Sequence, residues 1–199
     1  EGITRGVHNT GDVMYDAILK YEKVAEEKSQ ILRVLNLKPK NFIVATIHRA
    51  GTTDNSVRRH SVMEALSQTD EPIVFPIHPR TRKALAALQP VWKGDHIKLI
   101  SPVGYLDMLM LVKSARLMIT DSGGLQKEAY FMKTPCITCL EEDEWPETTA
   151  AGANRLVGTD PEKIVEAAMK PYAPIKDADE FGDGHAAEKM SDLLENTNI

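Results

Sequence analysis

Short apolar runs of strand length alternate along this chain with amphipathic stretches of helical length. The first clear run, N-F-I-V-A-T-I from Asn41 to Ile47, predicts a strand, and the charged stretch before it predicts one helix from about Val13 to Leu35. Asn55 to Ser67 is expected as a helix, Ile73 to Ile77 as a strand, and Pro79 to Leu88 as a helix whose proline sits in the permissive first turn. His96 to Ile100, Leu117 to Thr120 and Pro135 to Cys139 read as strands, with helices expected at Leu106 to Ser114 and Gly124 to Phe131. A last short strand is expected at Asn154 to Val157. A helix from Pro161 to Met169 should follow it, capped by Asp160, and another should run from about His185 to Glu195.

Six strand-helix repeats of this kind predict an α/β domain with a doubly wound parallel sheet of Rossmann-like type. The expected division is a linker and the start of a connecting helix over residues 1–20, the Rossmann-like domain over 21–184, and a final helical segment over 185–199. In such sheets ligands bind beyond the carboxyl ends of the strands, so candidate chemistry is sought there.

Composition narrows the function. A hydrophobic fraction of 42% and a charged fraction of 27% over 199 residues are those of a globular domain with a sizeable core. A net charge of −5 provides no basic field for a nucleic acid or an anionic membrane, so neither is expected as a partner. No apolar run approaches the roughly 20 residues that cross a bilayer, and no basic-then-apolar leader opens the chain, so a cytoplasmic protein is expected. Cys136 and Cys139 lie three apart in an expected strand and should face opposite sides of the sheet. They read as two reduced core thiols rather than a disulfide, redox or zinc pair. The chain begins at Glu1 without a methionine, and its first residues do not resemble a domain start, so it is expected to be cut from something longer.

At one strand end, Thr120-Asp121-Ser122-Gly123-Gly124 leads into a helix beginning Leu125-Gln126-Lys127-Glu128. Glycines at a helix start let amide N–H groups approach a ligand, and the helix end adds partial positive charge, so a phosphate fits. The alternative is a tight turn that needs glycine for its geometry alone. Glu128 follows Gly124 by four residues, hence on the same helical face and roughly 6 Å further along the axis. A carboxylate there can accept from ribose hydroxyls while a pyrophosphate occupies the helix start; otherwise it is a solvated surface charge. His48 and Arg49 end the first strand on the same rim, where a histidine can donate a bond or a proton to a leaving phosphate or can be structural. His78, in Pro76-Ile77-His78-Pro79-Arg80, brings a second histidine and arginine to the rim unless the prolines mark only a rigid turn. Tyr105 and Met108 offer either a slot for a planar base or ordinary core packing. The acidic stretch Glu141 to Glu147 reads as a mobile rim loop.

Taken in order, T-I-H-R-A at Thr46 to Ala50, P-I-H-P-R at Pro76 to Arg80, G-Y-L-D at Gly104 to Asp107, T-D-S-G-G-L-Q-K-E-A at Thr120 to Ala129, W-P-E-T at Trp145 to Thr148 and G-A-N-R-L-V-G-T-D at Gly152 to Asp160 resemble the non-hydrolysing UDP-N-acetylglucosamine 2-epimerases. The resemblance implies the second half of a two-domain, glycosyltransferase-B-like protein, with the final helix packing toward a missing N-terminal domain. It implies a cytoplasmic homodimeric isomerase of polysaccharide biosynthesis that needs neither cofactor nor metal. The reaction interconverts UDP-N-acetylglucosamine and UDP-N-acetylmannosamine by elimination and re-addition of UDP. By the same resemblance His48 stabilises or protonates the leaving diphosphate, Ser122, Gly123 and Gly124 hold its oxygens with Arg49 beside them, Glu128 holds the ribose, and Tyr105 and Met108 border the uracil. The carboxylates that handle the sugar proton belong to the family's first domain. Some members bind a second, activating UDP-N-acetylglucosamine, which would involve Arg49 and His78. Many bacterial members carry H-R-R-E-N where this chain has His48-Arg49-Ala50-Gly51-Thr52, and arginines where it has Leu140 and Trp145. A UDP-sugar-dependent glycosyltransferase of the same build, or a non-catalytic nucleotide-sugar-binding module, remains open on these residues.

Overall fold

The computed structural model describes residues 2–86, 94–177 and 179–196. In chain order the elements are α1 (Val13–Lys28), α2 (Ile31–Leu35), β1 (Ile43–Thr46), α3 (Ala50–Thr53), α4 (Ser56–Ser67), β2 (Ile73–Pro76), α5 (Pro79–Ala86) and β3 (Ile97–Ile100). Then come α6 (Tyr105–Ser114), β4 (Leu117–Thr120), α7 (Gly123–Phe131), β5 (Cys136–Thr138), α8 (Pro146–Ala150), β6 (Asn154–Leu156), α9 (Pro161–Met169) and, after a single 3-10 turn at Asp179–Phe181, α10 (Ala186–Asn196).

The strands form one sheet in the order β3-β2-β1-β4-β5-β6, and every pairing is parallel. This is the doubly wound order, in which the sheet grows outward in both directions from a switch point between β1 and β4. Their register, Ile43 opposite Leu117 through Thr46 opposite Thr120, brings the two carboxyl ends level.

Residues of the four inner strands, β1, β2, β4 and β5, are buried on both faces, as helices on both sides of a parallel sheet require. Ile43, Ala45, Phe75, Ile119 and Ile137 face one core, shared with α4 and α9. Phe42, Val44, Val74 and Met118 face the other, shared with α1, α6 and α7. Cys136 points into the second core and Cys139 into the first. Both are buried free thiols, as alternation along an extended segment dictates.

The single helix expected from Val13 to Leu35 is two helices. Ser29 leaves the helical path with φ −72 and ψ 133, and its hydroxyl donates to Asp107 Oδ1 at 2.6 Å while accepting from Ile31 N at 3.3 Å. The chain thus trades one turn of continuity for a tie to α6. Two short helices, α3 and α8, are additional to the expected set. The other bounds fall within one or two residues of expectation; residues 87–88 of the expected fifth helix and 197–199 of the final segment lie outside the described residues.

The two ends of the chain meet on the side of α1. Asp16 of α1 accepts from the first amides of α10, Ala186 N at 3.1 Å and Ala187 N at 2.8 Å. Just before α1, the backbones at Gly11 (φ +94) and Gly182 (φ +77) pass so closely that a Cβ on Gly182 would stand 2.9 Å from Gly11 Cα. Only glycine fits both the space and the left-handed backbone there. The outer face of α10 keeps Met190 and Leu194 exposed. Among the described residues no helix is long and apolar enough to cross a membrane.

Candidate functional site at the switch point

The β1 and β4 ends are stitched together by side-chain hydrogen bonds. Thr46 and Thr120 share a buried hydroxyl contact of 2.8 Å. Asp121, 1% exposed, accepts His48 N on Oδ1 at 2.9 Å and Arg49 N on Oδ2 at 3.0 Å. One carboxylate on two amides fixes how the chain leaves β1, so Arg49 is aimed across the switch point. The sequence places Asp121 at the turn but gives it no task; an aspartate at a strand end beside a glycine pair is the signal that could have found it.

From the same turn α7 starts. Ser122 is its N-cap, with φ −102 and ψ 121, and its Oγ accepts from Leu125 N at 3.5 Å. The helix begins at Gly123, one residue earlier than expected. Among the described residues the Gly123 and Gly124 amides have no acceptor, so two donors and the positive helix end face the cleft. The cleft holds about 470 Å³ and is lined by His48, Arg49, Ser122, Gly123, Gly124 and Trp145, among others.

Arg49 Nη2 lies 2.5 Å from Oε1 and 2.7 Å from Oε2 of Glu144. The expected rim loop therefore folds over the α7 start: Trp145 N is held by Asp143 Oδ1 at 3.1 Å, and Pro146 opens α8 at a first-turn position. Beyond the Arg49–Glu144 pair lies a second hollow of about 340 Å³.

His48 reaches the rim as expected, but its ring is engaged. Nε2 lies 3.1 Å from the Pro76 carbonyl, which can only accept, so Nε2 carries the proton. Nδ1, at 3.2 Å from Thr81 Oγ1, is then the acceptor of that hydroxyl in the neutral ring. Burial lowers the imidazole pKa, an effect that the Asp121 charge partly opposes. His78 stands beside it, with ring centroids 6.5 Å apart. Arg49 and His78 thus turn to different neighbours, Glu144 and His48. The Arg80 side chain lies outside the described residues.

Glu128 lies one turn into α7. Burial alone raises its carboxyl pKa to about 7. Tyr105, 42% exposed at the start of α6, is within its electrostatic reach: burial and then the Glu128 charge push the phenol up. Met108 is half-buried and packs against the core that α6 shares with α7. The structure thus gathers His48, Arg49, Ser122, Gly123 and Gly124 around one cleft, and brings Glu128, one turn along α7, within electrostatic reach of Tyr105.

A parallel sheet in this order, with a glycine turn at its switch point whose two amides have no acceptor among the described residues, defines a doubly wound α/β domain of Rossmann-like type, and amides so placed can bind an anion. The UDP-N-acetylglucosamine 2-epimerase family model matches residues 1–195, and the chain belongs to that family. A UDP-N-acetylglucosamine 2-epimerase homolog of Methanococcus maripaludis is 44% identical over 202 residues, covering 98% of this chain and 56% of its own length. A UDP-2,3-diacetamido-2,3-dideoxy-D-glucuronate 2-epimerase of Pseudomonas aeruginosa is 38% identical over 191 residues, 94% of this chain and 52% of that protein. The crystal structure of the UDP-GlcNAc 2-epimerase of Methanocaldococcus jannaschii in complex with UDP-GlcNAc and UDP superimposes with a TM-score of 0.85 at 35% identity, over 98% of this chain and 57% of that one. The chain spans about half the length of the curated relatives it matches.

Proposed function

We propose that this chain is the UDP-holding half of a non-hydrolysing UDP-N-acetylglucosamine 2-epimerase of two-domain, glycosyltransferase-B-like build. The observation that carries it is the pair of unaccepted amides at the α7 start, at the switch point and one helical turn from Glu128. Diphosphate oxygens accept from Gly123 N and Gly124 N, and the Ser122 hydroxyl can donate to them while its lone pair still caps Leu125. Arg49 offsets the charge, Glu128 accepts from the ribose hydroxyls, and Tyr105 and Met108 border the uracil. His48 stands beside the leaving diphosphate. To bond it, the ring must give up the Pro76 carbonyl or the Thr81 hydroxyl, so its contribution to elimination and re-addition of UDP requires a turn of the imidazole. The Methanococcus and Pseudomonas relatives are named for different sugars but share UDP and 2-epimerisation, which supports assigning the nucleotide rather than the sugar to this domain. We extend the proposal to a cytoplasmic homodimer acting in polysaccharide biosynthesis, with α10 facing the other domain of the protein.

Calorimetric titration of the chain with UDP tests the site. A Cβ on Gly124 would meet its nearest neighbour, Met14 Cε, at 3.8 Å, an ordinary contact. Gly124→Ala should therefore keep or slightly raise the melting temperature, since alanine is the better helix former, while its methyl obstructs a phosphate and weakens UDP about tenfold, the size of one charge-assisted hydrogen bond. Equal affinity in parent and variant would remove the diphosphate from α7.

A further inference from the structure

Glu144 stands where an anion belongs. Both its oxygens touch Arg49 Nη2, and a Cβ on Gly123 would overlap its Oε2, so the carboxylate lies against the first residue of α7. It thus occupies the place between the guanidinium and the helix start, the two positive elements of the cleft. Beside it the Trp145 indole N–H is buried without an acceptor among the described residues, and Nε1 would stand 3.2 Å from the same Cβ. A buried donor left unpaired carries a desolvation cost that an arriving acceptor removes.

We infer that Glu144 is a resident stand-in for the diphosphate, which a nucleotide diphosphate must displace, and that Trp145 Nε1 then donates to the phosphate that takes its place. This rests on the UDP site proposed above. A diphosphate and the Glu144 carboxylate cannot share Arg49 and the α7 start, because like charges a few ångströms apart repel. The carboxylate is free to leave: its side chain is 33% exposed and that of Arg49 43%, so a change of rotamer suffices. The neighbours that would stay are anchored separately, with Asp143 held by Thr149 Oγ1 at 2.8 Å and the Trp145 ring lying 4.1 Å from Lys127 Nζ. Displacing Glu144 forfeits one partly exposed ion pair and one helix-end interaction whatever the phosphate ligand, so Glu144 lowers affinity for phosphates and leaves the bare nucleoside untouched.

Calorimetry with UDP and with uridine on the 199-residue chain tests this. Glu144→Gln should tighten UDP by about fivefold, the combined size of an exposed ion pair and a helix-end charge, and leave uridine unchanged. In an Arg49→Met background the gain should shrink, because the pair is already broken. Trp145→Phe, which keeps the ring over Lys127 and loses the N–H, should weaken UDP severalfold. If Gly124→Ala weakens UDP but Glu144→Gln leaves it equal or weaker, the displacement is wrong and the UDP site stands. If Trp145→Phe binds UDP as the parent does, the indole has no part. If neither Gly124→Ala nor Glu144→Gln alters UDP binding, the site itself is wrong, and the inference falls with it.

Discussion

Glu128 is a carboxyl group placed where its ion is poorly solvated. Burial raises its pKa from the ordinary 4.5 to about 7, so near neutral pH it is partly protonated until a ligand supplies hydroxyl donors. Because the folded value lies above the unfolded one, the associated stability is present below pH 4.5 and is lost as the pH rises through 7. Glu128→Gln should therefore match the parent at pH 4.5 and exceed it at pH 8 by about 1–3 kcal/mol, with urea unfolding at both values as the measure. The same variant should bind UDP less well at pH 8, where the ionised parent can accept from both ribose hydroxyls. At this scale the sequence is a good guide to position and a poor one to orientation. That Glu128 shares a helical face with Gly124, and that His48 ends a strand, follow from periodicity. That the His48 ring is occupied does not, because one of its partners, Thr81, is 33 residues away. Glu144 lies in an acidic loop whose spacing contains nothing of its contact with Arg49, 95 residues away.

Among the elements, α1 and α7 depend on one side chain. Asp12 caps α1 through Met14 N at 2.8 Å and pairs with Lys127 Nζ of α7 at 2.5 Å, the two side chains being 15% and 10% exposed. The same ammonium covers the Trp145 ring. Lys127→Met keeps the length of the side chain but strands the Asp12 charge, and should cost about 2–4 kcal/mol in urea denaturation; a loss within that of a surface substitution would show the pair to be incidental. The alternation of apolar runs and amphipathic stretches makes all six strands legible: β1, β2, β4 and β5 are buried throughout, and the edge strands β3 and β6 are partly so. The break at Ser29 is not legible, because it depends on Asp107, 78 residues on. Nor are α3 and α8, whose four and five residues are too short for a helical period to register.

For the whole molecule, the decisive fact is that β1 and β4 are neighbours, which brings two strand ends far apart in sequence to one cleft. A doubly wound sheet is what the order of elements predicts, and the switch point follows from the winding. What lies beyond this domain in the protein does not, and the chemistry at the sugar is assigned by resemblance to residues outside this chain. The 199-residue chain should accordingly bind UDP yet leave UDP-N-acetylglucosamine and UDP-N-acetylmannosamine unexchanged when followed by proton NMR; measurable turnover would contradict that division. The sheet also carries an internal alarm. Cys136, whose thiol burial pushes up to about 12, and Cys139, pushed higher still, lie under opposite helical layers of one sheet. Both thiols are almost fully buried, so an electrophilic reagent reaches Cys136 only when the layer of α1, α6 and α7 lifts, whereas Cys139 borders the hollow beyond the Arg49–Glu144 pair and is also reached when the loop carrying Glu144 moves. Modification of Cys136 therefore reports the opening of one side of the domain, with no label added.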